Sequence, residues 1–408
     1  LKPSPALTAQ FSHNTLPSAT PVPDEYQALY EQLEADLDSF EQVIDGQWQG
    51  ERYPVIFGTE LATASSNRGE ELLEPGVVET IPFHLDRFQQ LGVTGVTLSI
   101  NYPVLTPDFP RYSEYLAFYE RVVQEIRSRG MKLTIQQGVI LPSYSDLPVD
   151  YSDLTLATYL AEKEAMATLI VLDPQLRPDY FSLFGEPNTE ATTLDLPALE
   201  EPAVLTAFVN TFLRQLPPTE SLIGAGTGTW EDPAIIEQLA TNTNLDFIDM
   251  HVYPINSIPS HPTLDQVLTN ADLAHANGKK VTLTEGWLYK ITDAELIIAQ
   301  YRPGSVTIFA RDVYSFWQPL DQQFLRVMTH LAHFKQFEYV SPFWSRNFFA
   351  YLEYDESTSD LEPGELFYLI DEAATHNMLF NIYSPTGHYY RELLKGERTL
   401  YLPVVELR

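Results

Sequence analysis

Short apolar runs rich in β-branched residues alternate along the chain with stretches whose apolar positions recur every three or four residues. The first run is YPVIFGTEL (53–61), and the stretch near 78–91 predicts a helix stopped by Gly92. GVTGVTLSINYP (92–103) reads as the second strand. Over 111–130, Tyr115, Tyr119, Val122, Val123 and Ile126 recur at helical spacing, and Gly130 closes the helix. MKLTIQQG (131–138) leads to a helix over 153–173, and PDYFSLFGEPN (178–188) to one over 202–216. SLIGAGTGTW (221–230) leads to 232–240, LDFIDMHVYP (245–254) to 260–278, and KKVTLTEGW (279–287) to 313–335. FEYVSPFWSRN (337–347) is the eighth strand, with a helix within 366–395.

Eight strands alternating with helices predict a parallel sheet, and eight is the number that closes it into a (β/α)8 TIM barrel. The predicted class is thus α/β, with a single catalytic domain over residues 25–408. An open doubly wound sheet is the alternative, but no GxGxxG fingerprint follows any strand. A helix over 25–45 precedes the core and is expected to close the barrel bottom. Residues 1–24, rich in Pro, Ser, Thr and Ala and nearly uncharged, bury too little to fold alone and read as a linker. The final LYLPVVELR is expected to add a small peripheral strand or to pack under the barrel.

Charge and composition narrow the partners. A net charge of -32 over 408 residues argues against nucleic acid or an anionic membrane surface and suits a neutral, polar substrate. With no cysteine, disulfides, thiolate metal sites and a Cys nucleophile are excluded. No run of 18 or more apolar residues predicts a membrane span. The linker, and a chain that starts at Leu1 instead of Met, lead to the expectation of an exported monomer, secreted or at the cell surface.

In such barrels the active site lies at the C-terminal strand ends. The residues there are Glu60, Asn101, Tyr102, Gln136, Gln137, Glu186, Asn188, Trp230, His251, Tyr253, Glu285, Trp287, Trp344, Arg346 and Asn347. The histidines show no HxH or HExxH spacing, so neither a metal nor another cofactor is expected. Alternation places Asp249, His251 and Tyr253 on one face of strand six, and Leu283, Glu285 and Trp287 on one face of strand seven. A tyrosine on strand six can then hydrogen-bond Glu285.

Two glutamates facing each other across a barrel mouth make a glycosidase pair. One protonates the leaving oxygen, and the other is an anion about 5 Å away for retention or roughly 6.5–9.5 Å for inversion. A narrow mouth favours the shorter spacing. Trp230, Trp287 and Trp344 are placed to stack on sugar faces. Simpler readings stand beside these: Glu186, followed by Pro187, caps the next helix; His251 is a satisfied barrel histidine; the tryptophans fill the core.

Over roughly residues 50–395 the chain resembles the retaining glycoside hydrolases of clan A. GEPN (185–188) is similar to the clan's Asn-Glu-Pro stretch, DMHVYP (249–254) to its His-x-Tyr on strand six, and LTEGW (283–287) to its nucleophile strand. The resemblance implies Glu186 as acid/base, Glu285 as nucleophile, Tyr253 as its hydrogen-bond partner, His251 in support and Trp344 as the strand-eight platform. Two positions depart from it. Gly185 stands where the clan has an asparagine that contacts the sugar 2-hydroxyl, and INYP stands where many families end strand two on an arginine. Asn101 or Asn188 would have to take over those duties, and Glu60 is a further substrate-binding candidate. The expected function is a retaining hydrolase of β-linked polysaccharide or oligosaccharide, endo-acting; the alternative is a non-catalytic carbohydrate-binding barrel of a surface uptake system. A barrel esterase lacks its G-x-S-x-G elbow here.

Overall fold

Eight parallel strands form one sheet in the order β1-β8-β7-β6-β5-β4-β3-β2. They are β1 (Ile56–Phe57), β2 (Gly95–Ser99), β3 (Lys132–Gln136), β4 (Tyr180–Ser182), β5 (Leu222–Gly228), β6 (Phe247–Val252), β7 (Lys280–Gly286) and β8 (Tyr339–Pro342). The ring closes between β1 and β2 by a bridge from Glu60 to Thr97, with Thr97 N donating to Thr59 O (3.0 Å) and Leu61 N to Thr97 O (3.0 Å). This computed structural model describes residues 20–142, 145–253, 263–292, 295 and 310–401. Among them no helix is long and apolar enough to cross a membrane.

The helices are α1 (Gln27–Asp45), α2 (Val77–Leu91), α3 (Tyr112–Ser128), α4 (Leu156–Leu172), α5 (Pro187–Leu194), α6 (Pro202–Gln215), α7 (Pro233–Asn242), α8 (Thr263–Ala276), α9 (Gln318–Phe334), α10 (Pro363–Leu379) and α11 (Pro385–Tyr401). Most of them bury an apolar stripe. On α3 the buried face is Tyr115, Phe118, Tyr119, Val122, Val123 and Ile126, so the residues that set its sequence period are those that pack. Burying each such side chain contributes about 1.5–3 kcal/mol. Inside the barrel, Tyr339 fills the base, with its hydroxyl 2.9 Å from Thr97 Oγ1. Gly58 and Gly95 leave room for it; a Cβ on either would stand 2.2 and 2.6 Å from its ring or hydroxyl. Higher up, buried Asp249 accepts from Ser182 Oγ, Thr282 Oγ1 and Thr284 Oγ1, each at 2.7 Å.

The local differences from expectation have physical causes. Helix α5 replaces an expected loop: Pro187 opens it, and its short PNTEATTL sequence lacks an apolar stripe. The helix expected from residue 313 begins at Gln318, because Pro319 is tolerated only in a first turn. The stretch 366–395 holds two helices, divided where Asn381 adopts φ 57° and Pro385 starts α11. Helix α1 lies along α9, where Arg326 grips Glu41 with two 2.7 Å bonds. Within the stretch read as a linker, Thr20 Oγ1 donates to Glu353 (2.8 Å); residues 1–19 and the C-terminal 402–408 lie outside the described residues.

Strand β7 carries the most consequential irregularity. Met250 pairs with Leu283 but His251 pairs with Glu285, so Thr284 is an extra residue on β7. The same extra residue appears against β8, where Leu283 pairs with Val340 and Gly286 with Pro342. This β-bulge breaks strict alternation. Thr282 and Thr284 point inward to Asp249, and Glu285 turns into the mouth as well. The expected shared face of Leu283, Glu285 and Trp287 is therefore corrected.

Candidate active site

The mouth of the barrel holds a hollow of about 190 Å³ lined by Glu60, Ser99, Asn101, Gln136, Glu186, His251, Tyr253 and Glu285, among others. Past Glu60, Tyr289 and Phe343 it continues into a lobe of about 670 Å³ bounded by Trp344, Arg346, Phe367 and His84. These groups come from the ends of six strands, β1, β2, β3, β4, β6 and β7, which is how this fold assembles chemistry.

Glu186 occupies the N-cap position of α5, yet its side chain makes no cap bond. It accepts from Thr189 Oγ1 (2.7 Å) and from His251 Nδ1 (2.9 Å). Glu285 accepts from Tyr253 Oη (2.8 Å) and Gln136 Nε2. His251 Nδ1 also lies 3.5 Å from Glu285 Oε2, so the imidazole stands between the two carboxylates. One oxygen of each glutamate and one nitrogen of His251 lie within 4.8 Å of one another. Among the described residues this is the one such grouping close enough to bracket a cation, and hydrogen bonds within the group already use its nitrogen.

The Thr284 hydroxyl hydrogen goes to Asp249, so Thr284 Oγ1, 3.3 Å from His251 Nε2, accepts from that nitrogen. Nδ1 faces Glu186 and Glu285, which only accept when ionised. With both carboxyls ionised, both nitrogens carry hydrogen and His251 is an imidazolium. Burial opposes that charge, but Glu285, Glu186 and Asp249 outweigh it and raise His251 to about 10. Burial also pushes the Glu186 carboxyl up, but the bond and charge of His251 hold it below its ordinary value. Burial raises the Glu285 carboxyl; His251 pulls it down, the Glu186 charge pushes it up, and the net is upward.

Gly185 is explained by the same histidine: an ideal Cβ there would stand 2.4 Å from His251 Nε2. The imidazole fills the space a side chain at 185 would need.

The remaining candidates divide. Glu60 and Asn101 line the hollow, and Asn101 Oδ1 accepts from Gly138 N (3.0 Å). Neither Asn101 nor Asn188 supports Glu285; Gln136 and Tyr253 do. Asn188 does not line the hollow, and its backbone N donates to Glu231 (3.0 Å). Trp287 is 0% exposed and packs edge-on to Phe324 and Phe348, just past the end of β7 at Gly286. It is a core residue, and the stacking role expected of it is corrected. Trp230 leans on Tyr253 (5.9 Å between ring centres) outside the hollow. Trp344 borders the lobe with the Arg346 guanidinium 4.3 Å over its ring, so that face is covered. Phe343, one residue earlier, lines both spaces.

Several site residues escape a sequence reading. Glu231 accepts from Gly228 N and Asn188 N and anchors the start of α5; burial raises it to about 8. It follows strand five directly, which is the signal for it. Behind the hollow, Lys163 Nζ lies 3.0 Å from Glu190 and 3.1 Å from Gln137 O, with Tyr159 also donating to Glu190. These lie on helices α4 and α5, so no strand-end rule finds them. Tyr289 stacks on Tyr253 (4.3 Å, 12°) from the loop after β7.

No protein-family model matches the sequence, and no curated protein does. Among solved structures the chain is similar to a GH5 protein (subfamily 18) from Bifidobacterium longum subsp. longum in complex with Manb1-4GlcNAc (TM-score 0.54, 15% identity, 85% of this chain and 79% of that chain). It is similar to an exo-beta-1,4-mannosidase from an Opitutaceae bacterium (TM-score 0.53, 18% identity), covering 86% of this chain and 60% of that longer one. A GH1 beta-glucosidase from Exiguobacterium antarcticum also matches (TM-score 0.52, 11% identity, 86% of this chain and 100% of that chain). At these identities the likeness is one of fold.

Proposed function

We propose that the protein is a retaining β-glycoside hydrolase of the clan A type, with Glu186 as acid/base and Glu285 as nucleophile. The observation that carries this reading is the pair itself: oxygens of two strand-end glutamates within 4.8 Å, bracketing one imidazolium. Such closeness supports a covalent double displacement, for which the carboxyl groups stand about 5–5.5 Å apart, over an inverting pair at roughly 6.5–9.5 Å.

The hydrogen bonds suggest how the protons move. At rest Glu186 is a carboxylate and His251 holds the proton. Transfer across the 2.9 Å bond gives a neutral imidazole and a protonated Glu186, the form that can protonate a leaving oxygen. It removes the Glu186 charge that opposes ionisation of Glu285 together with the imidazolium charge that favours it, so the Glu285 anion is then held by the hydrogen bonds of Tyr253 and Gln136. Water then hydrolyses the glycosyl ester, Glu186 taking its proton. The lobe beyond Glu60 leaves space for further sugar units, which supports endo action on a chain. The β-linked ligand or substrate names of the three similar structures support a β-glycan. A screen of β-glucans, mannans, galactans and xylans with product sizing tests the reading: no product from any of them would overturn it.

One observation favours a second reading. Glu186 held ionised by His251 is the wrong resting form for an acid, as a purely carbohydrate-binding barrel would allow. Binding of oligosaccharide without product release would select it.

A further inference from the structure

Glu285 is reached by a line of buried side chains that starts at the end of β1. Ser99 Oγ donates to Glu60 Oε1 (3.3 Å), and Gln136 Nε2 donates both to Ser99 Oγ (2.9 Å) and to Glu285 Oε1. The line spans β1, β2, β3 and β7 and ends on a carboxyl at either side. With both carboxyls ionised, only one direction gives every bond a hydrogen. Ser99 has a single hydroxyl hydrogen, and the Glu60 oxygen takes it. What Ser99 then offers Gln136 is a lone pair, which only an amide N–H can satisfy. The second hydrogen of Nε2 is left for Glu285. A flipped amide would set its carbonyl oxygen against both the Ser99 lone pair and the Glu285 carboxylate. In the observed orientation Gln136 Oε1 is buried with no hydrogen-bond partner. Leaving such an atom unpaired costs about 1–3 kcal/mol, so the bonds at Nε2 are what dictate the orientation.

We propose that Glu60 is a positioning residue for Glu285: by taking the Ser99 hydroxyl hydrogen it fixes the donor direction of the relay, so that Gln136 presents an N–H to the attacking carboxylate. The relay supplies a second donor beside Tyr253 where strand two ends without an arginine. The proposal rests on Glu285 being the nucleophile.

The groups facing Glu285 are His251, Glu186, Tyr253 and Gln136, and those facing Glu60 are Glu285, Ser99, Arg346 and His251. Burial and the charge of Glu285 push the Glu60 carboxyl well up. A protonated Glu60 keeps the direction of the relay as long as it presents its carbonyl oxygen to Ser99. Each N–H given to Glu285 favours its ionised form. Loss of the relay therefore raises the pH at which Glu285 ionises. Loss of a nearby negative charge would lower it, so the sign separates the relay from a direct electrostatic effect.

The test compares Ser99→Ala, Glu60→Met and Glu60→Gln in two readouts. One is the acidic limb of kcat/KM on whichever β-glycan the screen selects. The other is the side-chain amide cross-peak of Gln136 in protein labelled with 15N-glutamine, identified by its loss in Gln136→Met and followed as Glu285 titrates. Ser99→Ala and Glu60→Met are expected to move both midpoints up by about one pH unit, a loss of about tenfold on the acidic limb. Glu60→Gln, whose amide oxygen still accepts from Ser99, keeps the original midpoint, and Glu60→Met adds nothing in the Ser99→Ala background. Midpoints that stay put or move down, or a Glu60→Met shift undiminished in Ser99→Ala, overturn the relay. If no glycan is hydrolysed and the amide midpoint still moves up, the hydrolase reading falls and the relay stands.

Discussion

The α-carbon of Gly185 lies against the imidazole of His251 so closely that an added Cβ would stand 2.4 Å from Nε2. The two residues are therefore a unit. Gly185→Ala and Gly185→Asn should push the ring off Glu186 and break the 2.9 Å Nδ1 bond. Overpacking of this kind costs about 1–3 kcal/mol of stability. The larger effect falls on proton transfer, a loss in kcat of about 10²–10⁴-fold. Steady-state kinetics beside a thermal melt separate the two.

Glu186→Gln and Glu285→Gln should each abolish hydrolysis. Azide should restore turnover of Glu285→Ala and yield a glycosyl azide of inverted configuration, while Glu186→Ala should yield one of retained configuration. Product stereochemistry by NMR decides; the reverse pairing would exchange the two roles.

The pH profile should extend far into alkali. His251 keeps the shared proton to about 10, so the basic limb of kcat/KM is expected near there, and His251→Asn should draw it down. Stability follows the same linkage. The folded value lies above the ordinary 6.5, so the contribution is full below 6.5 and is lost as pH rises through about 10. The melting-temperature gap between wild type and His251→Asn should shrink over that window.

Lys163 and Glu190 are both buried, and their ion pair sits directly behind the hollow. Lys163→Met leaves the Glu190 carboxylate without its cation, at a cost of about 3–5 kcal/mol. Urea unfolding should show this, and adding Glu190→Gln should recover part of it, since residues in one network are not additive.

Much of the barrel is legible because burial on two faces writes itself as uninterrupted apolar runs, and a strand end announces its chemistry by the first polar residue after the run. Glu186, His251, Tyr253 and Glu285 are found that way, and His251 and Tyr253 share the face that alternation assigns them. Alternation fails between Leu283 and Glu285 because a bulge is a matter of hydrogen-bond register, which residue types do not record, and Trp287 lies beyond the strand to which alternation applies. Trp344 and Phe343 are adjacent, and which of them lines the hollow depends on a turn after β8. Lys163 and Glu190 meet only because α4 and α5 pack together. The reason for Gly185 lies 66 residues downstream in sequence, at His251.

The extra residue on β7 lets one strand seal the barrel interior, through Thr282, Thr284 and Asp249, and arm its mouth with Glu285. Deleting Thr284 would leave β7 regular, with His251 still opposite Glu285, so the glutamate would keep its place. What would go is the hydroxyl that gives its hydrogen to Asp249 and lies 3.3 Å from His251 Nε2. The insertion is thus a way to fit a second inward side chain beside the glutamate, where plain alternation has room for one.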